Sequence, residues 1–224
     1  MTPRPMPYEE ARNAVLATAR AMLTLGLTIG SSGNVSARLA GPGVGPEGER
    51  LLLAITPHGG EYDLLSPEDI LVVDEEGEPV AGDGLPSVEL ELHVAIYRSR
   101  PRVGAVIHAH PPMASAAAVV RRPIPPILED QVIYLGGQIE VAAPAPTGSP
   151  ELAANALQAL GERNACLLAN HGALAVGASP RQALHNCQYL EKAAQAYLYA
   201  LWAGAVNPLP ADMLQAASAF YHLQ

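Results

Sequence analysis

The sequence predicts a single α/β domain, residues 1–224, built on a mixed, mostly antiparallel central sheet. Three observations carry that expectation. Short apolar runs bounded by Gly, Pro and acidic turns follow one another through the first third of the chain, the pattern of an antiparallel meander. Longer stretches with apolar residues every three or four positions alternate with further strand-like runs beyond it, and Ser-Pro pairs open helices at residues 66, 149 and 179. No internal repeat, low-complexity stretch or dividing linker interrupts the 224 residues, a length that can bury a substantial core.

Residues 1–7 are Pro-rich and expected to be loose. Tyr8 to Leu25 has the periodicity of an amphipathic helix, with Gly26 as its C-cap. The small-residue loop from Thr28 through Gly33 and Asn34 enters a strand toward Arg38. Such a loop exposes backbone N–H groups that suit an anion such as phosphate, and an ordinary glycine turn would look the same. A Gly/Pro/Glu turn over Gly41–Arg50 returns into the strand Leu51–Ile55, and Thr56-Pro57-His58-Gly59-Gly60 forms a second tight loop. Ser66-Pro67-Glu68-Asp69 reads as a short helix start, with Ser as N-cap, Pro at N1 and an acid at N3. Ile70–Asp74 is a strand and Glu75-Glu76-Gly77 its hairpin turn.

Pro86-Ser87-Val88-Glu89 opens a helix to about Arg98, with Glu89 and His93 four apart on one face. An acid in a first turn complements the helix dipole whether or not it performs chemistry. The apolar run from Val103 ends in His108-Ala109-His110, and Pro111-Pro112 starts a small-residue helix, Met113–Val120. A basic, proline-rich connector, Arg121–Pro126, follows, then Gln131–Leu135 leads into Gly136-Gly137, and Gln138–Ala142 is expected to be another strand. The remainder predicts a helix from Ser149-Pro150 to about Leu160, strands at Ala165–Ala169 and Ala173–Val176, a long helix from Ser179-Pro180 to about Ala203, and a last helix, Ala211–Phe220, after Pro208 and Pro210.

Composition narrows the function. The chain is 49% hydrophobic but only 4% aromatic, so Ala, Leu, Val and Ile must fill the core. A net charge of −9 without any basic run argues against a nucleic-acid surface. Neither a basic, apolar leader nor a run of transmembrane length is evident, so a cytoplasmic location away from membranes is expected. Cys166 and Cys187 lie in apolar patterns and are expected to be buried thiols.

Alternation along a strand points His108 and His110 to one face, placed to grip one metal ion. Structural, hydrogen-bonded histidines at a strand end would show the same spacing. His171, in His171-Gly172 after an apolar run, is a third candidate ligand.

The order of these features is more specific than any one of them. A Gly-Asn loop, a Thr-Pro-x-Gly loop, a Pro-Ser-x-Glu helix start, His-x-His and a later His-Gly together resemble the class II aldolase family, of the fuculose-phosphate aldolase and ribulose-phosphate epimerase kind. The resemblance runs from about Tyr8 to Pro210 and includes Ser99-Arg100-Pro101 and Gly136-Gly137. It implies a three-layer α/β/α fold and a cyclic homotetramer with sites at subunit interfaces. By the same resemblance, His108, His110 and His171 are zinc ligands, one ion per subunit, although another divalent metal would suit them, and Glu89 is the catalytic carboxylate. Gly33, Asn34, Gly59 and Ser87 match positions lining a phosphate pocket. The implied reaction is cleavage of a carbon–carbon bond beside the ketone of a small hydroxy-carbonyl substrate, through a metal-stabilised enediolate. No lysine is needed, and the chain's only lysine is Lys192.

Glu89 stands where the family's epimerases carry Asp, which favours aldol cleavage. Decarboxylases and dehydratases on the same scaffold are the enzymatic alternative, and an adducin-like assembly module is the non-catalytic one. Three departures bear on substrate. His58 and Val88 replace hydroxyl residues of the phosphate pocket, which raises the expectation that the anion is held differently or that the substrate lacks phosphate. Asp130 falls where the aldolase has a tyrosine, and Tyr221 is the remaining candidate for a tyrosine reaching a neighbouring subunit.

Overall fold

Alternation along each strand divides the apolar residues between two faces of one sheet, and helices cover both. The computed structural model describes residues 6–39 and 50–223. The strands are β1 (Asn34–Arg38), β2 (Leu52–Ile55), β3 (Leu71–Asp74), β4 (Pro79–Ala81), β5 (Ala105–Ala109), β6 (Val141–Ala142), β7 (Ala165–Leu168) and β8 (Gly172–Gly177). They form one sheet in the order β4-β3-β2-β1-β5-β8-β7-β6. Every neighbouring pair is antiparallel except β6 and β7. The mixed, mostly antiparallel sheet and the three-layer arrangement are therefore as the sequence implied.

Val35, Ala54, Val72, Ile107 and Ala175 face one core, shared with α1 (Glu9–Thr24), α3 (Pro112–Val120) and α6 (Pro180–Trp202). Their neighbours Leu53, Ile55, Val73, Val106 and Val176 face a second core, closed by α2 (Leu90–Ser99) and α5 (Pro150–Leu160). Small α4 (Glu129–Leu135) packs with α7 (Ala211–Tyr221) and with α6. The two cysteines are buried free thiols in different cores, and burial pushes each up to about 12.

The Ser-Pro starts have the physical basis expected of them. Ser149 Oγ accepts from the Leu152 amide at 3.1 Å and Ser179 Oγ from the Gln182 amide at 3.3 Å, each giving an acceptor to a free N–H at the helix start. At the 3-10 turn Pro67–Asp69, the Asp69 carboxylate accepts from the Ser66 amide at 2.7 Å and its hydroxyl at 2.8 Å.

Three boundaries differ from expectation. The strand expected over Gln138–Ala142 contracts to Val141–Ala142, because Ile139 instead pairs with Ile124 as an isolated bridge. Gln131–Leu135 is helical, the body of α4. Helix α2 starts at Leu90 rather than at Pro86, since Pro86 bridges Pro57, which leaves Glu89 at the N-cap position. The loose segment expected over residues 1–7 and the turn expected over Gly41–Arg50 fall outside the described residues, apart from residues 6, 7 and 50.

A candidate metal centre at the end of the central strands

Strand register brings the candidate residues together. His108 on β5 lies opposite Asn34 of β1 on one side and Leu174 of β8 on the other. His110 follows two residues later on the same face, just past the end of β5, and its amide donates to the Leu27 carbonyl at 3.1 Å. His171 arrives from the turn between β7 and β8, where Asn170 takes a left-handed φ of 56°. Ligand atoms of the three imidazoles lie within 4.8 Å of one another.

Gly172 explains the His-Gly pairing. A Cβ there would meet the Ala109 carbonyl oxygen at 2.5 Å and His110 Cδ2 at 2.6 Å, so only glycine lets β8 approach the His110 ring. Gly33 serves the same end across the other strand pair. Its φ is +75°, and a Cβ would sit 2.5 Å from the His108 carbonyl oxygen.

The protonation of the cluster follows from its hydrogen bonds. His108 is fully buried and its Nδ1 donates to the Ala173 carbonyl at 3.0 Å, which leaves Nε2 as a bare lone pair. Burial, reinforced by His110 and His171, holds the His108 imidazole well below its ordinary value, so it stays neutral. His110 is lowered too, by burial first and by His171 second. Glu89 Oε2 lies 3.1 Å from His108 Nε2, and Glu89 Oε1 lies 3.7 Å from His171 Nε2.

Those contacts decide whether a cation fits. Nε2 of His108, Nε2 of His110 and Oε1 of Glu89 are buried without a hydrogen-bond partner. Bare imidazole nitrogens facing one carboxylate, with protonation of His108 opposed by burial, are a donor set for a divalent ion. Neutral nitrogens with an adjacent acid also match a borderline metal such as zinc.

Glu89 is 3% exposed and is held from behind. Asn34 Nδ2 donates to its Oε2 at 3.0 Å, and Asn34 Oδ1 in turn contacts His93 Nε2. His93 Nδ1 lies 2.6 Å from Ser36 Oγ, which lies 2.8 Å from the Tyr97 hydroxyl. Sequence reading placed Glu89 and His93 on one face but missed Ser36 and Tyr97. The available signal was a polar stripe at 89, 93 and 97 on a helix whose other inward positions are apolar.

The two loops matched to an anion pocket are neighbours. The His58 amide donates to the Leu85 carbonyl at 2.8 Å and the Ser87 amide to the Thr56 carbonyl at 3.2 Å. His58 and Gly59 are exposed, Gly59 with φ +75°, whereas Ser87 is buried and its Oγ accepts from the Glu89 amide at 3.3 Å. Tyr62 secures the Gly33 turn by donating to its carbonyl at 2.6 Å. Asp130 is on α4, ion-paired with Lys192 of α6. Tyr221 donates to the Glu162 carbonyl at 2.6 Å and lines a cleft of about 460 Å³ with Arg100, Arg102 and His222, which includes none of the three candidate ligands.

Residues 13–198 match the family described as Class II Aldolase and Adducin N-terminal domain. The chain is 38% identical over 204 residues to a 5-methylthioribulose-1-phosphate/5-deoxyribulose-1-phosphate aldolase from Rhodospirillum rubrum, covering 91% of this chain and 87% of that protein. It is 34% identical over 205 residues to the L-fuculose phosphate aldolase of Escherichia coli strain K12, covering 92% and 89%. Its fold is similar to a solved L-fuculose 1-phosphate aldolase, with a TM-score of 0.88 at 30% identity, over 97% of this chain and 98% of that one.

Proposed function

Because this chain belongs to the class II aldolase and adducin family, we propose that it cleaves a carbon–carbon bond beside the ketone of a ketose 1-phosphate, using one divalent ion, zinc by preference, held by His108, His110 and His171. The chain is a class II aldolase-type lyase of carbohydrate metabolism. The observation that carries the site assignment is the gathering of the buried, unpartnered Nε2 atoms of His108 and His110 with His171 beside the Glu89 carboxylate, His108 Nε2 lying 3.1 Å from Oε2 and His171 Nε2 3.7 Å from Oε1.

The ion, when bound, supplies Lewis acidity to the negative charge that collects on the substrate's carbonyl oxygen. The protein's own residues do the rest. His108 and His110, both lowered by burial, keep their lone pairs for the ion, and the His108–Ala173 bond fixes which nitrogen of His108 is presented. Glu89 keeps Oε1 free to take or return the proton at the carbon next to the carbonyl, while Oε2 is anchored by Asn34. Gly33 and Asn34, with His58, Gly59 and Ser87 on the adjoining loops, form the anion cradle. His171, with 21% of its side chain exposed, marks the open side through which substrate enters.

Support for a pentulose 1-phosphate whose far end is unsubstituted or apolar comes from the Rhodospirillum rubrum relative, named for such substrates, which is 38% identical, against 34% for the K12 L-fuculose phosphate aldolase. The enzyme would work in the cytoplasm as a single-domain subunit of a homotetramer. Exposed Trp202, Phe220 and Leu223 near the ends of α6 and α7 support a covered apolar face there.

Turnover on a panel settles the substrate. With metal content measured alongside, 5-deoxyribulose and 5-methylthioribulose 1-phosphates should be cleaved faster than fuculose 1-phosphate and far faster than the unphosphorylated sugars. Equal or better turnover of free sugars or keto-acids, or no cleavage of any ketose phosphate by zinc-loaded protein, would overturn this reading.

A further inference from the structure

We infer that His93 is a positioning residue for Glu89, acting through Asn34 and itself held in one tautomer by Ser36 and Tyr97. This rests on the reading of Glu89 as the proton-transferring carboxylate.

The inference begins with two periods. Asn34 and Ser36 are two apart on β1, and so share a face, while Glu89, His93 and Tyr97 recur every four residues at the start of α2 and along it. Two strand residues advance the chain by about 6.6 Å and four helical residues by about 6 Å. The two rows therefore interdigitate in the order Glu89, Asn34, His93, Ser36, Tyr97, each touching the next. All five are at most 3% exposed. Arg38, two residues beyond Ser36, closes the row with its guanidinium 4.9 Å from the centre of the Tyr97 ring.

An acceptor-only carboxylate at one end sets the direction of every bond in the row. The Asn34 amide must turn its NH₂ to Glu89, so its oxygen faces His93. His93 must then carry its proton on Nε2, which leaves Nδ1 as an acceptor. Ser36 donates to Nδ1, and Tyr97 donates to Ser36. Each donor points toward Glu89, and such aligned bonds polarise one another. Burial holds the His93 imidazole down at about 3, so the ring is neutral and its tautomer is the only choice left to fix. Removing His93 frees the Asn34 amide to rotate and so to withdraw its hydrogen bond from Oε2 of Glu89.

A merely structural histidine and a positioning one differ in what their loss changes. The test uses the metal-loaded protein and two measurements: kcat and KM on the ketose 1-phosphate that the wild type cleaves best, and wash-in of deuterium from D₂O into dihydroxyacetone phosphate, the ketone fragment of a 5-deoxypentulose 1-phosphate. In that exchange the carbon-bound proton leaves to Glu89 and a deuteron returns to the same carbon. His93→Leu should lower kcat and exchange together by about 10- to 100-fold, the order that misplacing a reacting group costs, with metal content unchanged and KM within about threefold of wild type. His93→Gln, which retains an N–H for Asn34 Oδ1, should recover both rates to within about fivefold. Should His93→Leu fail to fold, Ser36→Ala removes only the donor to Nδ1 and should lower both rates by about three- to tenfold. Rates within twofold of wild type in the folded variants, or a loss explained wholly by lost metal or raised KM, would overturn the inference alone. A wild type that cleaves no ketose 1-phosphate would overturn it together with the function it rests on.

Discussion

The two oxygens of Glu89 sit in different surroundings: Oε2 accepts from Asn34 and contacts His108, whereas Oε1 is buried without a hydrogen-bond partner. Glu89→Gln keeps the volume but removes the base. It should bind metal at wild-type stoichiometry while kcat falls by about 10²- to 10⁴-fold, the usual share of a general acid or base. His110→Ala should lose metal and turnover together, and a chelator should lower the melting temperature of the wild type but not of that variant. The pH dependence of stability has a definite sign. The folded value of His93 is about 3 against an ordinary 6.5, so between those values the unfolded chain takes up a proton that the folded chain refuses. Its contribution is complete above about pH 6.5 and is lost as pH falls, with a slope of about 1.4 kcal/mol per pH unit. Urea midpoints from about pH 4.5 to 6.5 should fall with acid, and less steeply in His93→Gln. The shared face of His108 and His110 was legible because a strand's period is a local signal, whereas His171 was joined to them as a ligand through the family resemblance. The Asn34–His93 contact was not legible, since it joins residues 59 apart that only the sheet brings together.

Among the elements, β8 shows how backbone spacing serves the site. Gly172→Ala would drive a methyl into the Ala109 carbonyl and the His110 ring. Overpacking of this kind costs about 1–3 kcal/mol. The variant should show a lowered urea midpoint and, by metal titration, weaker binding than wild type, whereas Gly59→Ala, strained by its φ of +75° but with open space around its Cβ, should lower the midpoint while leaving metal binding close to normal. Long, patterned segments were read well from the sequence: α1, α5, α6 and α7 begin and end within a few residues of expectation. Weaker segments were decided by distant pairing. Ile139 looks strand-like but is claimed by Ile124, and Pro86 looks like a helix start but bridges Pro57. That second contact moves Glu89 out of the first turn, to where its side chain meets Asn34.

At the scale of the whole molecule, the ends of α6 and α7 leave large apolar side chains uncovered, with Trp202 88% and Phe220 58% exposed, and α7 buries only Ala217. Light scattering should give a mass four times the 23.4 kDa of the chain. Replacing Trp202 with Glu should lower that mass and reduce turnover if neighbouring subunits complete the site. A monomeric wild type would remove the tetramer from the account. No helix among the described residues is long and apolar enough to cross a membrane.

The row formed by Asn34, His108 and Leu174 across β1, β5 and β8 has a kinetic consequence. Its members come from segments separated by dozens of residues, and such distant pairings close late because the intervening loops must be ordered first. No early fragment, neither the N-terminal meander nor the α5–β7 unit, holds all three imidazoles. Metal capture during refolding would therefore follow the slowest phase of sheet closure, and the ion would act as a latch on the finished chain, with no part in nucleating it.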